Sequence, residues 1–263
     1  INYHIVNYFQ CNVRILLAIF ALSLTPLATA NGEHACHRYI ISNCRGAIDV
    51  ARLFALFRLC GWNDKDLSVD IIPLFETISD LKCSEKSMRT LYESVNYRQH
   101  LERRTNKQTM MLGFSDGTKD GGYLMANWAI YSAKECLTRV SRLFEVEACF
   151  FDGRGGPPAR GGGSTYKFYS SLGKDIEANQ IQLTVQGQTI SSYYGTEIGA
   201  IHNLRQLIAA GLENNLEDRP EKELSKSERR LIDNLASIAH KKYLEFKSHP
   251  LFLRYLNEMS TLN

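Results

Sequence analysis

Short, almost wholly apolar runs alternate with stretches of helical period, and this alternation most limits what the chain can fold into. RYIISN (38–43), VDIIPLF (69–75), KQTMMLGF (107–114) and VEACFF (146–151) are each rich in β-branched or large apolar residues, and each reads as a strand. IQLTVQG (181–187) is a candidate fifth. Between them, 47–62 carries apolar residues at helical spacing and ends near Gly61, two helical stretches run to about Arg104, and 120–144 has the length and period of one long helix. From about Thr196 the pattern is helical, with a charged break at 214–228. Strands with no polar face lie in sheets covered on both sides, so the expected class is a helix-rich α/β fold with a parallel sheet.

In parallel sheets and barrels, functional groups gather where strands end at their carboxyl side. Four such ends deliver Asn43-Cys44-Arg45, Glu76, Ser115-Asp116 and Asp152-Gly153-Arg154 to one rim. Glu76 and Asp116, from separate strands, can together bind one Mg²⁺, which takes oxygen ligands and often only one or two carboxylates. Each carboxylate has a plainer use: Glu76 can cap the helix that follows it, and Asp116 the helix after Lys119. Lys119, three residues beyond Asp116, suits the neutralising of a phosphate or enolate oxygen beside a metal, or is a solvent-facing turn lysine.

The segment FFDGRGGPPARGGGSTYKF (150–168) begins as a strand and becomes a loop. Its glycines expose backbone N–H groups and its arginines offer bidentate donors to phosphate or carboxylate. A helix starting near Ser164 would add its N-terminus. Arg154, Arg160, Gly155, Gly156 and Gly161 are therefore the candidate anion cradle. An RNA-binding Arg-Gly tract needs many such units in a strongly basic, disordered segment. Two units beside a buried strand, in a 263-residue chain of net charge +3, do not make one.

The seven cysteines form no CxxC pair, and their scatter fits reduced, buried thiols of a cytoplasmic protein. His34, Cys36 and His37 cluster without a second ligand pair at a zinc-like distance. The leader VRILLAIFALSLTPLATA (13–30) has the charge, apolar run and small-residue end of a secretion signal, and its run is too short to span a bilayer. Neither nucleic acid nor membrane is an expected partner.

MLGFSDGTKDGG (111–122) and FFDGRGGPPARGGG (150–163) strongly resemble two distinctive motifs of the phosphoenolpyruvate carboxylase family. PLFET (73–77), RYIISN and LTVQGQTI (183–190) resemble that family too, in the same order, so the resemblance covers about residues 31–263. It implies part of a TIM-type (β/α) barrel with additional helices, and a division into a leader, 1–30, foreign or misread, and a barrel segment, 31–263. It also implies carboxylation of phosphoenolpyruvate by bicarbonate to oxaloacetate and phosphate, through carboxyphosphate and an enolate, with Mg²⁺ or Mn²⁺. Glu76 and Asp116 match the family's metal positions, Lys119 an active-site lysine, and Arg154 and Arg160 the arginines that grip phosphate oxygens.

The resemblance further implies a homo-oligomer for the full-length enzyme. The family's essential histidine, and arginines near its C-terminus, have no counterpart in this sequence, so the chain by itself is expected to turn over little or nothing. The same comparison leaves open a non-catalytic phosphometabolite-binding remnant. A barrel segment of four or five strands also keeps exposed sheet edges, which favour association. Many family members carry His where Asp152 stands, and an ionised carboxylate cannot donate a hydrogen bond, so the sequence assigns Asp152 no role.

Overall fold

The computed structural model describes residues 37–63, 65, 67–156, 162–214 and 223–259. The leader, Arg160, Gly161 and the charged stretch 215–222 lie outside the described residues, as do His34 and Cys36. Five parallel strands, β1 (Arg38–Ile41), β2 (Asp70–Phe75), β3 (Lys107–Leu112), β4 (Glu147–Asp152) and β5 (Ile181–Leu183), pair in the sequential order β1-β2-β3-β4-β5. Each new strand joins the same edge of the sheet. That progression belongs to a (β/α) barrel rather than to a doubly wound sheet, whose order reverses. The barrel is partial: among the described residues β1 and β5 are open edges.

Pro73 sits inside β2 without breaking the sheet, and the register shows why. The β1 ladder ends at the pair Ile41↔Pro73, and the β3 ladder begins at Leu74↔Met111. A residue with no N–H is tolerated where the strand exchanges partners. Every residue from Ile71 to Phe75 is buried, as a strand covered on both faces must be.

The covering helices are α1 (Ala47–Leu59), α2 (Ile78–Glu93), α3 (Val95–Arg103), α4 (Phe114–Gly121) and α5 (Tyr123–Leu143). A short α6 (Thr165–Ser170) follows the Gly-rich loop, and α7 (Gln188–Tyr194), α8 (Glu197–Asn214), α9 (Lys226–Lys247) and α10 (Phe252–Met259) complete the order. The core is built by Val50, Leu53 and Phe57 of α1, Leu81, Met88 and Leu91 of α2, and Ile130, Leu137 and Val140 of α5, packed on the strands. By contrast Ile198, Leu204, Ile208 and Leu212 of α8 stay exposed.

Three expectations change. The long helix expected over 120–144 is present as α5 from Tyr123, but Gly122 at φ +79 separates it from an additional helix, α4, over Phe114–Gly121. As a result Asp116 lies in the first turn of a helix rather than in a strand-end loop. The fifth strand is only three residues long, and a helix the sequence did not suggest begins at Gln188. The five described cysteines are free thiols, but only Cys44 and Cys149 are buried, and Cys83 is exposed. No described helix is long and apolar enough to cross a membrane.

His100 of α3 is buried against the Phe54 and Tyr97 rings, with centroids 5.4 and 5.9 Å away. Burial, aided by the Arg103 and Arg104 charges, lowers its pKa from 6.5 to about 4. The folded state therefore binds this proton less readily than the unfolded chain does. Stability from this group is fully present above pH 6.5 and is lost as pH falls toward about 4. Urea midpoints at pH 7 and pH 4.5 should differ by less in His100→Leu than in the parent, and an equal acid loss in both would exclude His100 as the cause.

Candidate functional site

All five strands run the same way, so their carboxyl ends share one rim, and three glycines let that rim close tightly. A Cβ on Gly113 would stand 3.2 Å from the Glu76 Cα, one on Gly153 would stand 2.8 Å from the Leu112 carbonyl oxygen, and one on Gly155 would stand 2.4 Å from the Thr184 carbonyl oxygen. Backbone thus crosses from β2 to β5 with almost no side-chain spacing. The residues beside these glycines, Glu76, Phe114, Asp152 and Arg154, are drawn onto neighbouring positions.

Glu76 is free for such a role because other groups cap α2. Thr77 and Asp80 form a capping box, and the Ile78 N–H donates to Asp120 Oδ2 at 2.9 Å. Glu76 Oε2 instead accepts the Asn43 N–H at 3.0 Å, across from the end of β1. Burial raises the Glu76 pKa, and the carboxylates of Asp116 and Asp80 raise it further, against the Asn43 hydrogen bond and the Lys119 charge. The Asp116 carboxylate thus stands near enough to Glu76 to bear on its charge. Asp116 does not cap α5, where Gly122 holds the cap position and no side chain bonds; it lies in the first turn of α4, where its charge suits the helix N-terminus.

Lys119 Nζ lies 2.8 Å from Asp116 Oδ1, and both side chains are half exposed. In this arrangement the lysine covers a metal-ligand candidate rather than facing a free anion. Its carbonyl oxygen accepts from Tyr243 Oη at 2.9 Å and from Lys247 Nζ at 2.8 Å, so α9 grips the end of α4. Nothing in the spacing of α9 announced that contact. No group of three or more His, Cys, Asp or Glu side chains able to hold a metal occurs among the described residues. The Glu76–Asp116 pair remains a two-carboxylate set of hard oxygen donors, which fits Mg²⁺ or Mn²⁺ better than a softer ion.

Arg154 is the centre of the loop. Its side chain is 7% exposed, its guanidinium carbon lies 4.1 Å from the Phe168 ring centroid and 5.9 Å from that of Phe114, and one NH₂ group donates to the Gly162 carbonyl at 3.3 Å. Its Nε has no hydrogen-bond partner among the described residues. Burial lowers its pKa from the ordinary arginine value. A buried guanidinium with an unpartnered Nε has the chemistry to receive a planar or tetrahedral anion. It opens on a narrow cleft lined also by Gly156, Gly163, Thr165, Thr189 and Tyr193. The hydroxyl groups among these were missed at the sequence level, because they lie on α6 and α7.

The glycines divide in role. The Gly155 N–H donates to Thr184 Oγ1 at 3.3 Å and its carbonyl accepts from the Gln186 N–H at 3.2 Å, so Gly155 joins β4 to the end of β5 rather than offering itself to an anion. Gly156 is open, with nothing within 4 Å of a built Cβ. The helix expected near Ser164 is present, with the Ser164 hydroxyl accepting the Lys167 N–H at 3.3 Å. Asp152, which the sequence left unassigned, is buried and accepts from Lys134 Nζ and from Tyr169 Oη, each at 2.8 Å.

Comparison with known proteins places the sequence beside one family. The sequence model of the family described as phosphoenolpyruvate carboxylase matches residues 8–263, which takes in most of the apolar leader. A protein named phosphoenolpyruvate carboxylase from Corynebacterium diphtheriae is 34% identical over 232 residues, covering 88% of this chain and 25% of that protein. Its namesake in Mycobacterium leprae is 36% identical, covering 88% and 26%. The one in Nitrosomonas europaea is 41% identical over 193 residues, covering 72% and 21%. The chain spans about a quarter of the length of the curated relatives it matches.

Proposed function

The chain belongs to the phosphoenolpyruvate carboxylase family, and from that premise we propose that it carries the metal- and anion-binding portion of a site that carboxylates phosphoenolpyruvate with bicarbonate to oxaloacetate and phosphate. The observation that carries this reading is Arg154: a buried guanidinium over the Phe168 ring, with an Nε that has no partner among the described residues and a cleft before it. Arg154 would hold the phosphoryl oxygens, with Arg160 assigned the same task on motif grounds alone. Low local dielectric strengthens that contact and keeps water from a hydrolysable intermediate.

Glu76 and Asp116 would hold Mg²⁺ or Mn²⁺. When bound, the ion supplies positive charge that stabilises developing negative charge on substrate oxygen. Occupying Asp116 in this way would release Lys119 to an anionic oxygen of the substrate. The reading also places the chain in the cytoplasm, as part of a homo-oligomer in longer family members.

The test is binding of phosphoenolpyruvate to the 263-residue chain by titration calorimetry, with and without Mg²⁺. Mg²⁺ should tighten binding, and Glu76→Gln or Asp116→Asn should each remove that gain. Identical affinities with and without the ion would refute the metal assignment. Binding without oxaloacetate formation marks the chain as a binding portion of the site, whereas a steady rate would show that its own residues suffice for turnover.

A further inference from the structure

We propose that Lys134 is a positioning residue which keeps Arg154 available to anions by occupying the buried carboxylate of Asp152. This rests on the reading of the β4-end loop as the anion site, and it gives Asp152 the role its sequence position left blank.

Asp152 and Arg154 flank Gly153, and both are buried, at 1% and 7% exposure. A buried carboxylate and a buried guanidinium so near in sequence would ordinarily pair, since the arginine fork matches a carboxylate bidentately. No hydrogen bond joins them among the described residues. Lys134 reaches Asp152 from α5 instead: its Nζ lies 2.8 Å from each carboxylate oxygen and donates to Oδ2. The Tyr169 hydroxyl also donates to Oδ2 at 2.8 Å, and Oδ1 meets the lysine as an ion pair with no hydrogen bond of its own among the described residues. The lysine is 1% exposed, and its ammonium lies 5.1, 5.2 and 5.8 Å from the ring centroids of Phe150, Phe168 and Tyr169.

Burial lowers the Lys134 pKa while Asp152 draws it back up. A lysine on the apolar face of a core helix is costly, and replacing such a pair with apolar groups often leaves stability unchanged. Its use here is electrostatic. Lys134 and Asp152 cancel, so the Arg154 charge is left over for a ligand. Adjacent residues of α6 register both contacts, since Tyr169 bonds Asp152 and Phe168 stacks under Arg154.

The test measures orthophosphate affinity of the whole chain in three variants. Lys134→Met should weaken binding roughly tenfold or more, as expected for losing a hydrogen bond to a charged group, because the released carboxylate captures Arg154. Asp152→Asn should stay within about threefold of the parent, less than 1 kcal/mol, and the double variant Lys134→Met with Asp152→Asn should recover that affinity. Loss in all three would show a merely structural lysine and overturn the proposal.

If Lys134→Met does not fold, the double variant decides alone, with parent-like affinity supporting the proposal and loss overturning it. A second readout needs no ligand. Hydrogen exchange at the Arg154 Nε–H, followed by NMR, should slow in Lys134→Met and return to the parent rate in the double variant. A parent that binds no orthophosphate but shows this exchange pattern would refute the anion site while upholding the pairing. An Nε–H equally fast in every variant refutes the pairing.

Discussion

Arg154→Met should lose phosphoenolpyruvate or orthophosphate binding by about 10- to 150-fold, the range for a hydrogen bond to a charged group, while the protein melts no earlier than its parent. Both halves follow from one fact. The guanidinium is buried, yet among the described residues it makes one long hydrogen bond and its Nε has no partner. Such a group costs stability and repays it only when an anion arrives. Methionine keeps the stem in contact with Phe168 and Phe114 and removes the unsatisfied charge. Calorimetric titration and a thermal melt on the same samples check the prediction. A variant that binds as before, or that loses stability together with binding, would show that Arg154 is a structural residue.

Gly155→Ala should be strongly destabilising, and Gly156→Ala, one residue on, nearly silent. The methyl group at 155 would lie 2.4 Å from the Thr184 carbonyl oxygen and 2.8 Å from the Val185 Cα. Both obstacles are backbone, so no side-chain rotation relieves them. The end of β5 must move, and with it the Gln186 N–H bond to the Gly155 carbonyl. Overpacking of this kind typically costs about 1–3 kcal/mol. At Gly156 nothing stands within 4 Å, and no positive φ forbids a side chain. Urea denaturation of the two variants should separate them clearly, and equal midpoints would refute the tight rim.

The difference between these two glycines marks how far the sequence could be read. RGGPPARGGG shows that backbone N–H groups and arginines are gathered in one loop, and the strand before it sets the loop on the rim. It cannot show that Gly155 is consumed by packing against β5, because that depends on a strand some thirty residues later. Glu76 and Asp116 were legible for the same reason as the loop. Each follows an apolar run, and parallel strands bring such ends together. The pairing of Lys119 with Asp116 was not legible, since the helical turn that aligns them depends on α4 forming from Phe114. Nor was the grip of Tyr243 and Lys247 on the Lys119 carbonyl, which joins segments more than a hundred residues apart.

Lys134 left a signal that went unread. It stands four residues after Ile130 and three before Leu137, on the buried face of a helix, where a charged residue needs a partner. The partner, Asp152, belongs to the next strand. Sequence alone determined the alternation of strands and helices, the rim where chemistry gathers, and the family motifs, because period and strand-end position are local properties. Only the tertiary structure decided which charges are already satisfied. Asp152 is paired with Lys134, Lys119 covers Asp116, and among the described residues the Arg154 Nε has no partner. Pairing depends on which elements pack together, and no single stretch of chain contains that information.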